Sequence, residues 1–295
     1  MRDAIQHGAD MVEFDVQVSR DLVPILFHEF RLCVQTRTKE GGELMLDIPV
    51  RDLSLPELQR LKIHHPSEKQ DGVKMFGNEG HEDHEPFPTL EDVLGKLDQH
   101  CGFNIEIKYG QLMKDDQEED KNPMEMNIFL DQILKTVLKH GAERKIIFSS
   151  FNPDICTMWV KVWFIYQYLS IFINFDFYRI INKQNKYPVL LLTAGENSKY
   201  DDFKDPRTWS IKNGVLFGEM SGLLGKFFPF SSLLIIYMIN SGLSAMAEAV
   251  TKDVSQLEMI HKYNQIIFVW TDEQNDKDTV KYLKQLGVNG VIYDR

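Results

Sequence analysis

Two acidic residues, Glu13 and Asp15, lie two positions apart in the mostly apolar segment 11–18. This segment predicts a β-strand, whose side chains alternate between two faces, so the two acids share one face and the apolar residues beside them share the other. Two carboxylates on one face are costly unless a positive charge lies between them. A hard divalent cation with oxygen ligands meets that need. A solvent-exposed face with two hydrated acids is the alternative.

A second short strand, predicted over 103–108, carries Glu106 and Lys108 on one face. It adds a third carboxylate and a cation to the candidate site. His28 follows the apolar run 23–27, which comes after a polar turn at 19–21. Three carboxylates that hold a metal, a lysine beside phosphoryl oxygens and a histidine for proton transfer would suit a phosphate ester as substrate.

Six short motifs follow one another along the chain in a specific order. They are V-E-F-D-V, F-H-E, F-N-I-E-I-K, I-I-F-S-S-F, V-W-T and G-V-N-G-V-I-Y-D. Their succession, which covers most of the chain, resembles the glycerophosphodiester phosphodiesterase family. Within that family, the chain is most similar to the cytosolic glycerophosphocholine phosphodiesterase branch.

The resemblance implies an α/β fold, a (β/α)8 TIM barrel that here lacks its first strand. It implies metal-dependent hydrolysis of glycerophosphodiesters, with glycerophosphocholine as the expected substrate, to glycerol 3-phosphate and an alcohol. The alternation of strands and helices independently predicts parallel strands with right-handed crossovers. Periodicity alone does not separate a barrel from an open sheet, but in both the ligand lies at the carboxyl ends of the strands.

The same resemblance assigns roles to individual residues. Glu13, Asp15 and Glu106 would bind Mg2+ or Ca2+, and Lys108 would stabilise charge on the phosphoryl oxygens. His28 would be one of two acid/base groups, the alternative being a structural histidine. The side chain of Trp270 would line the site near the non-phosphate part of the substrate, or would instead pack the barrel.

Two departures from the family pattern bear on activity. The His-Arg-Gly motif of the family's first strand, which supplies the other acid/base histidine and a phosphate-binding arginine, is expected upstream of Met1, and no His-Arg pair occurs in this chain. Glu29 stands where the family usually has Asp. The competence of the chain as an enzyme is therefore open. A non-catalytic barrel that binds metal or substrate, or a membrane-tethered form, is the alternative.

Length and composition allow one large domain spanning residues 1–295, with 43% hydrophobic and 26% charged residues. The formal net charge of -11 argues against nucleic acid as a partner. Three widely spaced cysteines without a zinc pattern indicate a reducing compartment. The N-terminal residues have no secretory apolar segment, so a cytoplasmic location is expected.

Between the predicted strands, two capping signals predict helices that start after Ser54 and Thr89, and a third helix is predicted over 126–138. The segment after His28 is interpreted as a polar loop. A second loop is predicted over 64–86, because its glycines and prolines interrupt any helix. A metal site at His81 and His84 is the alternative there.

Two strongly apolar segments, 159–181 and 226–241, interrupt the family pattern and resemble insertions. The first reaches the length that a bilayer requires, but it contains three charged residues, and the second is too short. Membrane contact through 159–181 is the alternative to extra sequence that a working barrel lacks. As exposed apolar segments, both are predicted to promote aggregation.

Overall fold

A computed structural model describes residues 1–37, 43–61, 65–70, 73–77, 87–158, 186–196, 202–221, 242–271 and 277–293. The predicted insertions 159–181 and 226–241 lie outside the described residues, as do His81 and His84. Among the described residues, every helix falls short of the length and apolar character that a membrane span requires.

The described chain alternates strands and helices along most of its length. The strands are β1 (Met11–Val18), β2 (Pro24–Leu26), β3 (Arg31–Arg37), β4 (Glu43–Pro49), β5 (His65–Gln70), β6 (Val73–Gly77), β7 (Gly102–Ile107), β8 (Ile146–Ser150), β9 (Val189–Thr193), β10 (Gly242–Met246), β11 (Ile266–Thr271) and β12 (Gly290–Tyr293). The helices are α1 (Arg2–Gln6), α2 (Leu55–Arg60), α3 (Leu90–Lys96), α4 (Met126–His140), α5 (Pro153–Met158), α6 (Pro206–Trp209), α7 (Ile211–Ser221), α8 (Ala247–Lys252), α9 (Ser255–Lys262) and α10 (Lys277–Gln285).

One eight-stranded sheet contains the strands that carry the candidate residues. Its order is β12-β11-β10-β9-β8-β7-β1-β2. Each pair of neighbours from β7 to β12 is parallel, whereas β1 and β2 are antiparallel. Helices follow β8 and β10 in the chain, as in the β/α repeats of a barrel. The predicted parallel strands are therefore confirmed.

The chain separates into two compact units, here called the first and the second unit. The first comprises 1–10, 14–101 and 122–144, and the second comprises 11–13, 102–121 and 145–295. Strand β1 thus contributes its first three residues to the second unit and the others to the first. The expectation of a single domain over residues 1–295 stays a prediction.

The first unit has its own apolar core around β2. The buried members of this cluster are Ile25, Leu32, Val50, Leu58 and Phe87. Helix α4 buries one apolar stripe at helical spacing and lies beside α3. The guanidinium of Arg144, almost completely buried, donates to the backbone carbonyls of Leu94 and Leu97 at the end of α3. Burying apolar side chains and satisfying helix-end carbonyls together stabilise this unit.

The predicted helix starts are confirmed. Ser54 and Glu57 form a reciprocal capping box at the start of α2, and the hydroxyl of Thr89 accepts from the backbone N–H of Asp92 at the start of α3. Helix α4 begins at Met126 as predicted and ends at His140, two residues beyond the predicted end. At α2 and α3, side chains thus pair with backbone N–H groups that the start of a helix leaves without a partner.

Two hairpins replace segments that were interpreted as loops. Strands β3 and β4 pair antiparallel over their whole length, and Leu32 from this hairpin joins the core cluster of the first unit. Strands β5 and β6 pair antiparallel inside the predicted loop 64–86, with an irregular register between His65 and Glu68. Both loop predictions were wrong there, because backbone pairing between strands requires no regular apolar pattern in the side chains.

Candidate metal centre

Strand β1 presents the two acids as its alternation predicts. Val12, Phe14 and Val16 are buried, whereas the side chains of Glu13 and Asp15 project to the other face. On β7, Phe103, Ile105 and Ile107 are buried in the same way, and Glu106 is the one partly exposed residue of that strand.

The three predicted metal-binding acids converge. One carboxylate oxygen from each of Glu13, Asp15 and Glu106 lies within 4.8 Å of those of the other two. Three such oxygens close together repel one another strongly, and a divalent cation coordinated by oxygen would relieve that repulsion. This donor set fits Mg2+ or Ca2+ and does not fit the sulfur and nitrogen preference of a structural zinc ion.

Lys108 lies beside this group. Its Nζ is 3.4 Å from Glu106 Oε1, and the two side chains are only 12% and 14% exposed. An ion pair so shielded from water is stronger than one at the surface. Lys108 therefore keeps a positive charge next to the carboxylates, where it could attract an anionic group such as a phosphate.

His28 lies in the loop that follows β2. Its side chain is 66% exposed, and its Nδ1 is 3.2 Å from Glu29 Oε1. Glu29, the residue in which the chain departs from the family pattern, thus contacts the candidate acid/base residue directly. A histidine that is open to solvent and paired with a carboxylate can take up and release protons.

Gln17, which the sequence analysis did not select, holds the His28 loop in place. Its side chain is almost fully buried, and Nε2 donates to the carbonyls of both Phe27 and Glu29 at 2.8 Å. The backbone N–H of Phe27 also donates to the carbonyl of Asp15. Gln17 has the same strand parity as Glu13 and Asp15, and that spacing is the signal that could have found it.

The turn between β1 and β2 is also held by polar contacts. The Ser19 hydroxyl and the Leu55 backbone N–H both donate to Asp21. Burial is the largest influence on this carboxyl group and raises its pKa, but these hydrogen bonds outweigh it, so the pKa of Asp21 is lowered overall. The ionised carboxylate thus links the turn before β2 to the start of α2.

Trp270 lies at the carboxyl end of β11 in a group of aromatic side chains. Its ring meets that of Phe151 edge to face, with centroids 5.9 Å apart, and Phe151 also contacts Phe203 at 5.3 Å. The sequence analysis missed both phenylalanines. Phe151 follows β8 directly, so its position at the carboxyl end of a parallel strand could have indicated it.

The family model described as "Glycerophosphoryl diester phosphodiesterase family" matches residues 1–173 and 168–295. Glycerophosphocholine phosphodiesterase of Homo sapiens is 34% identical over 304 residues, an alignment that covers 100% of this chain and 39% of that protein. The chain therefore spans well under half the length of this curated relative.

Solved structures of two phosphodiesterases are similar to this chain. A glycerophosphodiester phosphodiesterase from Thermotoga maritima matches with a TM-score of 0.52 at 21% identity, covering 99% of this chain and 84% of that one. A phosphodiesterase from Oleispira antarctica, solved with the product sn-glycerol 3-phosphate, matches with a TM-score of 0.55 at 18% identity, covering 98% and 82%. At these identities the likeness carries the fold, and it confirms the predicted α/β barrel class.

Proposed function

Because the chain belongs to the glycerophosphoryl diester phosphodiesterase family, we propose that it hydrolyses glycerophosphodiesters with the help of a divalent cation. Water adds to phosphorus and the bond from phosphorus to the alcohol oxygen breaks, giving glycerol 3-phosphate and the free alcohol. The observation that carries the proposal is the convergence of Glu13, Asp15 and Glu106 within 4.8 Å. Because the chain belongs to a phosphodiesterase family, a metal-binding role explains this convergence better than incidental exposure of three acids does.

Glycerophosphocholine is the proposed substrate. The human relative, which is 34% identical across the whole of this chain, is named for that compound. The aromatic group around Trp270 and Phe151 supports this choice, since aromatic faces attract a quaternary ammonium such as that of choline. Trp270 would then contact the alcohol part of the substrate and Lys108 its phosphate.

Each remaining residue has a defined part in this proposal. Glu13, Asp15 and Glu106 would hold Mg2+ or Ca2+, which supplies positive charge to the phosphoryl oxygens when bound. Lys108, kept charged beside Glu106, orients the anionic phosphate by ion pairing. His28 transfers a proton to or from an oxygen of the reacting diester, and Glu29 stabilises its protonated form.

A cytoplasmic location is part of the same proposal. Cys33, Cys101 and Cys156 are all free thiols. Free cysteines, one of them exposed, are typical of proteins kept in a reducing compartment.

The proposal is tested by incubating the purified chain with glycerophosphocholine and Mg2+ or Ca2+, beside an Asp15→Ala variant, and measuring free choline. Turnover that is lost in the variant would support both the activity and the metal-binding acids. Metal binding by calorimetry without any turnover would favour the alternative of a non-catalytic barrel. Turnover that persists in Asp15→Ala and in chelator would overturn the proposed metal site.

A further inference from the structure

A buried serine lies next to Glu106 on the neighbouring strand. Glu106 of β7 and Ser149 of β8 are register partners in the parallel ladder. Paired residues of adjacent strands project to the same face of a sheet, and the strands are about 4.8 Å apart. The Ser149 side chain therefore lies on the face that carries the Glu106 carboxylate, at the same carboxyl end of the sheet.

The hydroxyl of Ser149 is shut off from bulk solvent. The residue is 1% exposed, and its Oγ makes no hydrogen bond with any residue that the structure describes. Leaving a hydroxyl buried and unpaired destabilises the folded chain, so proteins rarely keep one without a ligand, an ion or a water as its partner. Alanine would fill the same backbone position without that cost.

The adjacent serine shows what a purely structural hydroxyl does at this point of the strand. Ser150, also buried, projects to the opposite face and donates to the carbonyl of Ile107 at 2.8 Å. Its hydroxyl ties β8 to β7. Ser149 does not share this role, and the polar side chain nearest to it in the ladder is the carboxylate of Glu106.

We propose that Ser149 is a positioning residue for Glu106: its hydroxyl donates to the carboxylate, directly or through one water, when that carboxylate binds a divalent cation. This inference rests on the proposed metal site. Lys108 contacts Oε1 of the same carboxylate. The serine hydroxyl would hold the Glu106 carboxylate from the side of β8 as well. Donors to metal-ligating groups fix the ligand's direction, and their loss typically lowers metal affinity by about 10–100-fold.

The test compares Mg2+ and Ca2+ binding by the full chain and by the variants Ser149→Ala and Ser149→Cys, measured by titration calorimetry. Alanine removes the hydroxyl, and cysteine keeps a side chain of similar length that donates only weakly. Ser244→Ala is the matched control. Ser244 is also fully buried with an unpaired hydroxyl among the described residues, but it pairs in register with Leu192 and Phe268, away from Glu106.

We expect Kd to rise about tenfold in both Ser149 variants and to change less than about twofold in Ser244→Ala. Hydrolysis by the Ser149 variants should return to within about threefold of the parent at saturating metal, because the reacting groups are intact. Unchanged affinity in a folded Ser149→Ala or Ser149→Cys, or an equal loss in Ser244→Ala, would overturn the inference. Absence of metal binding by the parent chain would instead refute the proposed metal site itself.

Discussion

The two units of this chain hold their charged residues in different ways. In the second unit, Glu106 projects from β7 and pairs with Lys108 just beyond its end, and both side chains are about nine-tenths buried. In the first unit, His28 pairs with Glu29 in a loop, and the histidine is 66% exposed. Strand register fixes the first pair, whereas the second depends on the hydrogen bonds that hold the loop. The first pair is therefore suited to binding charge and the second to exchanging protons with solvent.

The largest expected effect comes from neutralising the strand-borne carboxylate. Glu106→Gln keeps the side-chain shape, removes one of three converging charges and removes the ion pair between Glu106 and Lys108. Several kcal/mol of transition-state stabilisation would be lost. Because about 1.4 kcal/mol corresponds to a tenfold change in rate, the rate of hydrolysis should fall about 10⁴-fold. Calorimetric titration with Mg2+ should show no measurable binding.

Glu29→Gln is the control for that substitution, because it neutralises the carboxylate of the exposed pair instead. Its metal affinity should stay within about threefold of the parent chain, as an exposed ion pair contributes little. Equal losses of metal affinity in the two variants would remove the distinction between the buried and the exposed pair.

Replacing the loop-borne histidine should separate proton transfer from metal binding. His28→Asn keeps a polar side chain of similar size but cannot take up a proton near neutral pH. We expect kcat to fall by about 10³-fold, within the range for a lost acid/base group, while the Kd for Mg2+ is unchanged. A variant that retains full turnover would show that His28 has no part in proton transfer.

The contribution of the loop's anchor is expected to be smaller. Gln17→Met removes both 2.8 Å hydrogen bonds to the carbonyls of Phe27 and Glu29 and leaves the apolar part of the side chain in place. Small misplacements of a catalytic group are costly, so kcat should fall about tenfold, with a stability loss of about 1–3 kcal/mol. The rate of choline release measures the change in kcat, and urea unfolding measures the loss of stability.

Gln265→Met is the matched control for the anchor. Gln265 is likewise a buried glutamine whose Nε2 donates to a backbone carbonyl, that of Val215, but it belongs to the second unit, whereas His28 belongs to the first. It should lose similar stability and keep its kcat. If both variants lost kcat to the same extent, general destabilisation and not loop position would be responsible.

The distinction between local signals and long-range pairing explains how much the sequence could predict. The period-two pattern around Glu13 and Glu106 is local, so their strands and shared faces followed directly from it. The capping signal at Ser54 is equally local. The β3–β4 hairpin was missed because its pairing joins residues up to eighteen positions apart, as in Arg31 with Pro49, and leaves no local signal.

The site residues divide along similar lines. The three carboxylates and Lys108 could be proposed from residue type and strand parity, and the family resemblance supplied the role of Trp270. Gln17 and Phe151 were missed, since their parts depend on which loop or ring each side chain reaches in the folded chain. Residue type limits what a side chain can do, but tertiary packing selects its partner.

The smallest expected effect concerns the charge of Glu57 at the start of α2, whose contribution to stability depends on pH. The Ser54 hydroxyl, the Ser54 backbone N–H and Arg20 all donate to Glu57 and lower its pKa from 4.5 to about 2. A lowered carboxyl pKa stabilises the folded chain fully above the unfolded value, and that contribution is lost as pH falls from 4.5 towards 2. In Glu57→Gln, the urea midpoint should therefore lie below that of the parent at pH 7, and this difference in midpoint should narrow below about pH 4.5.

Glu143→Gln is the control, because Glu143 is an exposed carboxylate of the same unit that caps no helix. It should show no such difference at any pH. A difference in urea midpoint between Glu57→Gln and the parent that stays constant down to pH 3 would show that the charge of Glu57 does not contribute to the stability of the cap.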